Sequence, residues 1–238
     1  MIEVKQLTKV FGDTLAVDNV SFTLPSGRIC GLVGRNGAGK TTTMRCLAAL
    51  VPPTRGSIRI AGHDPVSEST SVKRKLAYVP DDPPLFDDLS VHDHLEFIGR
   101  MYGVAEHREL AQRLLAQFGL DGKSNAGATT LSRGMRQKLA IACAMMFDPQ
   151  VWLLDEPLTG LDPPGIRMVL DLIGQLAEQG RTVVLSSHLL SIIEPVCTDV
   201  LVLEDGRVRD FGPVNKEPTS PIITTSHFET TYFGSTHA

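Results

Sequence analysis

Apolar and polar residues alternate in two short runs near the start, Ile2-Glu-Val and Val20-Ser-Phe-Thr-Leu, on either side of the turn Phe11-Gly12-Asp13. The period of two predicts a small antiparallel lobe over residues 2–24. Arg28-Ile-Cys-Gly-Leu-Val is then apolar at strand length, a glycine-rich loop follows, and residues 41–50 read as a helix closed by Val51-Pro52-Pro53. Ser57-Ile-Arg-Ile-Ala returns to alternation between Gly56 and Gly62, which predicts another half-buried strand. From Ser90 to Phe147 the period changes to that of helices. Ser90 and Asp93 have capping-box spacing, and Val91, Leu95, Ile98 and Met101 mark one helical face. Leu110, Leu114 and Phe118 mark a second helix ended by Gly119-Leu-Asp-Gly, and residues 133–147 a third. Val151-Trp-Leu-Leu and Thr182-Val-Val-Leu are apolar at nearly every position, as strands of a parallel sheet covered on both faces are, with a helical stretch over residues 165–179 between them. The pattern describes an α/β core carrying a helical insertion. After Asp210-Phe-Gly-Pro the periodicity is lost in Pro, Thr and Ser.

With 238 residues, 42% hydrophobic and 21% charged, the chain has the composition of a globular domain, which excludes fibrous and disordered classes. A net charge of −4 offers no surplus for displacing counterions from DNA or RNA, so no nucleic-acid partner is expected. Cys30, Cys46, Cys143 and Cys197 have no metal-site spacing and read as buried free thiols. The first residues lack the order of a signal peptide, and the apolar run over residues 139–147 is about half of what a bilayer span needs. If the protein acts at a membrane, something else must carry it there.

Gly34, Arg35, Asn36, Gly37, Ala38, Gly39, Lys40 and Thr41 spell G-x-x-x-x-G-K-[ST] between a predicted strand and a predicted helix, with Thr42 next in the helix. The glycines let successive N–H groups converge on phosphate oxygens at the positive end of a helix dipole. Lys40 would reach the terminal phosphates and the Thr41 hydroxyl would ligate Mg²⁺. Asp155 and Glu156 end a buried apolar strand, the edge at which open parallel sheets bind ligands. There Asp155 would hold the metal and Glu156 would take a proton from an attacking water.

Leu131-Ser132-Arg133-Gly134-Met135, just before the third helix, resembles the LSGGQ signature of the ATP-binding cassette ATPases, the nucleotide-binding subunits of ABC transporters. The resemblance runs from Ile2 to Pro213. It implies a P-loop NTPase core with a mixed sheet, an N-terminal antiparallel β lobe and an inserted helical lobe. The domain would span residues 1–213, with residues 1–82 and 148–213 as core lobe, 83–147 as helical lobe and 214–238 as a tail. Ser132 and Gly134 would make a second anion site that closes on the ATP of an opposing subunit, identical or not, so that two ATPs are held head to tail. Phe11 matches the aromatic that stacks on adenine. Asp162, in Leu158-Thr-Gly-Leu-Asp, matches the loop that contacts the opposite subunit, and His188 matches the histidine that holds the γ-phosphate and positions water. Arg133 stands where the signature has its first glycine, as in cassettes similar to ABC-2-type exporter subunits.

One position departs from the family. Tyr78-Val79-Pro80-Asp81 resembles the Q-loop, with Asp81 in place of glutamine. Asp81 is expected to ligate Mg²⁺ directly or through water, with Asp82 as the competing candidate. Pro83-Pro-Leu-Phe presents apolar groups on a stiff loop amid Asp81, Asp82, Asp87, Asp88, Asp93 and Glu96. By the resemblance this region would receive a helix of a transmembrane permease subunit, one with an apolar ridge and basic flanks. His92-Asp93-His94 does not read as a metal site, because adjacent residues on a helix point apart. The leading reading is an ATPase working at the cytoplasmic face of a membrane. A cassette without a transport role and a poorly hydrolysing ATP-gated module are the rivals.

Overall fold

The computed structural model describes residues 1–187 and 190–214. The chain opens with β1 (Ile2–Phe11) and β2 (Thr14–Leu24), paired antiparallel across the Gly12-Asp13 turn. β3 (Ile29–Val33) leads into α1 (Lys40–Leu47), and β4 (Arg55–Ile60) returns to pair antiparallel with β1. These close a three-stranded sheet in the order β2-β1-β4. α1 ends three residues before the periodicity predicts, because Ala49 adopts φ 58° and turns the chain out of the helix.

α2 (Ser69–Lys75) runs into β5 (Leu76–Val79), after which the chain enters three helices: α3 (Val91–Tyr102), α4 (His107–Gln117) and α5 (Arg133–Met145). The capping box forms, with Ser90 Oγ accepting from the Asp93 N–H at 3.1 Å. The buried face of α3 is Val91, His94, Leu95 and Gly99, whereas Met101 is 57% exposed, contrary to the predicted stripe. The reason is that Met101 belongs to a surface groove and not to the core.

β6 (Val151–Asp155), α6 (Pro163–Glu178), β7 (Thr182–Ser186), α7 (Leu190–Ile193), β8 (Asp199–Glu204) and β9 (Arg207–Pro213) complete the core. The main sheet has the order β5-β6-β7-β3-β8-β9, parallel except for the last pair. Alternate residues of its strands serve two different cores. Ile29, Val33, Trp152, Leu154, Val183, Leu185, Val200 and Val202 pack toward the helical insertion and α6. Cys30, Leu32, Val151, Leu153, Val184, Leu201 and Leu203 pack toward α1 and the antiparallel sheet. Burial on both faces is why these strands carry no polar alternation. It also leaves their C-terminal ends as the place where polar groups can gather.

Among the described residues, no helix is long and apolar enough to cross a membrane. His94 is buried, its Nδ1 bonded to the Ser90 carbonyl at 2.7 Å and its Nε2 accepting from the Phe86 N–H at 2.9 Å. Both ring nitrogens are therefore used within the fold.

Candidate active site

The loop between β3 and α1 winds through glycines because the turn demands it. Gly39, the residue before α1, has φ 95°, and a Cβ there would stand 2.7 Å from the Ala16 carbonyl oxygen. The turn faces a cleft lined by Ala16, Asn36, Gly37, Ala38, Gly39, Lys40, Thr41, Thr42, Asp81, Asp155 and Glu156. Gly34 and Arg35 line an adjoining recess with Leu203, Glu204 and Asp205. Lys40 is buried, and its ammonium donates to the carbonyls of Gly34 at 2.7 Å and Arg35 at 3.2 Å. Burial draws its pKa below the ordinary lysine value, while Glu156 and Asp155 pull it back up. Thr41, by contrast, is exposed.

Parallel register does the rest. Asp155 ends β6 directly opposite Ser186, which ends β7, and Ser186 also lies opposite Leu32 of β3. The fully buried Ser186 hydroxyl donates to Asp155 Oδ1 at 2.6 Å and accepts from the Glu156 N–H at 2.9 Å. The Tyr78 hydroxyl, from β5, approaches Asp155 Oδ2 at 3.4 Å. Burial and then the Asp155 charge push the Tyr78 phenol up to about 12. Glu156 has φ 50°, a left-handed conformation that costs a non-glycine residue about 1 kcal/mol or more and persists only where surroundings impose it. Here the bond from its N–H to Ser186 is one of the groups that hold it.

The family described as ABC transporter matches residues 17–159, which include the phosphate loop, the residues before α5 and the end of β6. The chain belongs to the ABC transporter family. It is 33% identical over 218 residues to the ABC-type transporter ATP-binding protein EcsA of Bacillus subtilis, covering 91% of this chain and 88% of that one. It is 35% identical over 208 residues to the Nod factor export ATP-binding protein I of Burkholderia lata, covering 87% and 68%. Among solved structures, the dimeric post-hydrolysis state of the ATP-binding cassette MJ0796 bound to ADP and Pi matches with a TM-score of 0.84 at 25% identity, covering 91% of this chain and 100% of that one. The chain is thus an ABC-type ATPase with the α/β cassette fold that the signature resemblance implies.

Not every expected residue of this cassette lies in the cleft. Phe11 ends β1 at the hairpin tip, 47% exposed, with Lys9 Nζ 4.8 Å from its ring centroid; the hairpin borders the cleft through Ala16 instead. Ser132 and Gly134 stand at the start of α5, outside the cleft. Ser132 caps that helix, accepting from the Met135 N–H at 3.3 Å. Gly134 permits a backbone contact, since a Cβ there would stand 2.5 Å from the Gly160 carbonyl oxygen. Asp162 caps α6 by accepting from the Gly165 N–H at 3.1 Å and lies 3.7 Å from Lys138 Nζ. His188 lies outside the described residues, as does the tail beyond residue 214. Asp81 does line the cleft, but its carboxylate is paired with Arg133 Nη2 at 2.6 Å.

The acidic stretch is also narrower than the sequence suggests. Glu96 is consumed by Arg100 at 2.7 Å and Arg108 at 3.1 Å, and Asp82 lies 3.5 Å from Arg136. Asp87 and Asp88 are exposed and directly follow Phe86, which helps to line a groove with Pro83, Leu85, Phe97, Ile98 and Met101. Ser186 carries the Asp155–Glu156 arrangement, yet its hydroxyl partner is 31 residues away in sequence, and only the strand register reveals it.

Proposed function

We propose that this cassette powers an exporter by hydrolysing ATP between two head-to-tail ATP-binding subunits, at the cytoplasmic face of the membrane. The observation that carries the reading is the cleft in which Lys40, Thr41, Asp155 and Glu156 converge, with Asp155 held by Ser186. In it the backbone N–H groups of the phosphate loop and Lys40 bind the phosphates, and Glu156 takes the proton of the attacking water. Thr41 and Asp155, with Asp81 or Asp82, would hold Mg²⁺. A hydroxyl and carboxylates are the hard oxygen donors that this ion prefers, so the residues fit it. When bound, it would neutralise charge on the phosphate oxygens.

Ser132 and Gly134, which lie outside their own cleft, would serve the ATP of a second subunit, and Asp162 would contact that subunit. MJ0796 is dimeric with ADP and Pi, and a relative is named for export, which support the dimer and the direction. The groove beside α3, about 250 Å³, has Phe86, Phe97 and Met101 exposed at 53%, 43% and 57%. With the exposed Asp87 and Asp88 following Phe86 in the chain, it suits a permease helix with an apolar ridge and basic flanks.

The decisive experiment is Glu156→Gln. With ATP and Mg²⁺ the variant is expected to run as a dimer in size-exclusion chromatography with light scattering, and to have lost turnover. Hydrolysis at the parent rate would remove Glu156 from its role.

A further inference from the structure

Three carboxylates line the cleft, Asp81, Asp155 and Glu156, against the ammonium of Lys40. A triphosphate entering such a place meets an unfavourable balance unless a carboxylate is neutralised. Asp155 is bonded to Ser186 and proposed for Mg²⁺, Glu156 is the proposed base, and Asp81 shares with Asp82 the remaining metal role. The third, Asp81, is met by a side chain 52 residues further along: Arg133 Nη2 lies 2.6 Å from Asp81 Oδ1. The approach is built into the fold. The Arg133 stem runs across Gly160, where a Cβ would stand 3.1 to 3.4 Å from Arg133 Cδ, Cγ and Cβ, so the missing side chain at that position makes room for the stem. Arg136, one turn later, donates to the Pro83 carbonyl at 3.2 Å and so holds the segment that carries Asp81.

We propose that Arg133 is a positioning residue of the nucleotide cleft in its own subunit: it neutralises Asp81 and thereby admits the negative charge of ATP past that carboxylate. The inference rests on the ATP-binding reading above. Arg133 and Asp81 are 52% and 48% exposed, so the pair is screened by water and does little for stability. Its effect is expected where charge is concentrated, on the ligand. Metal-free ATP carries about twice the negative charge of Mg·ATP, so the loss of Arg133 weakens metal-free binding more.

The test is equilibrium titration with the fluorescent nucleotide MANT-ATP, in Mg²⁺ and in EDTA, on dilute parent, R133Q, R133K, D81N and the R133Q/D81N double variant, with a thermal midpoint for each. R133Q is expected to raise Kd in EDTA by about threefold to tenfold and less in Mg²⁺. R133K, which keeps the charge, stays near the parent. In the D81N background the R133Q loss disappears. An equal loss with and without metal, the same loss in the D81N background, or no loss at all would each overturn the proposal. Should R133Q not fold, D81N alone decides: it binds metal-free MANT-ATP more tightly than the parent if Asp81 is the obstacle, and unchanged binding overturns the inference. A parent that binds no MANT-ATP refutes the nucleotide reading itself, which is a separate result.

Discussion

Removing one oxygen atom from Ser186 is expected to damage both the core and the site. Its hydroxyl donates to a carboxylate and accepts from a backbone N–H, and the residue is fully buried. Ser186→Ala leaves almost no cavity, but Asp155 Oδ1 loses a bond of the charge-assisted kind, about 1.5–3 kcal/mol, and the Glu156 N–H loses a neutral one of about 1 kcal/mol. The sum predicts a loss of about 2.5–4 kcal/mol in unfolding free energy. Tyr78 still approaches the other oxygen of Asp155, so the carboxylate is loosened without being released. Urea denaturation should show a lower midpoint with an unchanged slope, because the surface exposed on unfolding is the same. ATP turnover at saturating nucleotide should fall by more than about tenfold, since both Asp155 and the strained Glu156 lose an anchor. Ser186→Cys, which keeps the bulk but bonds weakly, should follow the alanine variant. A Ser186→Ala protein within about 0.5 kcal/mol of the parent and fully active would refute the reasoning.

Trp152 is 1% exposed in the core beneath the helical insertion, with its indole N–H donating to the Pro149 carbonyl at 3.2 Å. Trp152→Ala is expected to cost about 3–5 kcal/mol in the same denaturation assay. The Tyr78 phenol, raised from 10.0 to about 12, gives a pH dependence of definite sign. In the unfolded chain it ionises near its ordinary value, so its contribution to stability is complete below pH 10 and is lost as pH rises through about 12. Cys46, raised to about 11, and other groups titrate in that window too, so the measurement is the difference between parent and Tyr78→Phe: the variant should have the shallower alkaline decline.

The central strands, the phosphate loop and the capping box are legible in the sequence because each is a local pattern with a local cause. Met101 shows where periodicity misleads. An apolar side chain repeats at helical spacing whether it faces a core or a surface groove, and here it faces the groove. β5 has only four residues and ends in the stretch that reads as a loop, so its place at the edge of the main sheet is set by pairing with β6 and not by its own pattern. The partnerships of Ser186 with Asp155 and of Arg133 with Asp81 cross 31 and 52 residues. No spacing rule links them. They follow from strand order and from how the start of α5 lies against the loop around Gly160. Motif spacing alone likewise makes the surroundings of Asp81 look more acidic than they are, because the arginines that answer Glu96, Asp81 and Asp82 lie on α3, α5 and the start of α4.

The two carbonyls that hold Lys40 bear on how affinity should be understood. Two of its three N–H donors already have acceptors, so a phosphate takes the third or exchanges with Gly34 or Arg35, and in an exchange the free energy of binding is the difference between two sets of bonds. Such an exchange keeps the side chain ordered beforehand and lowers the entropy lost when a ligand arrives. Replacing Lys40 would therefore remove a clamp on the loop as well as a cation, and the cost of such a variant combines a looser loop with a weaker charge.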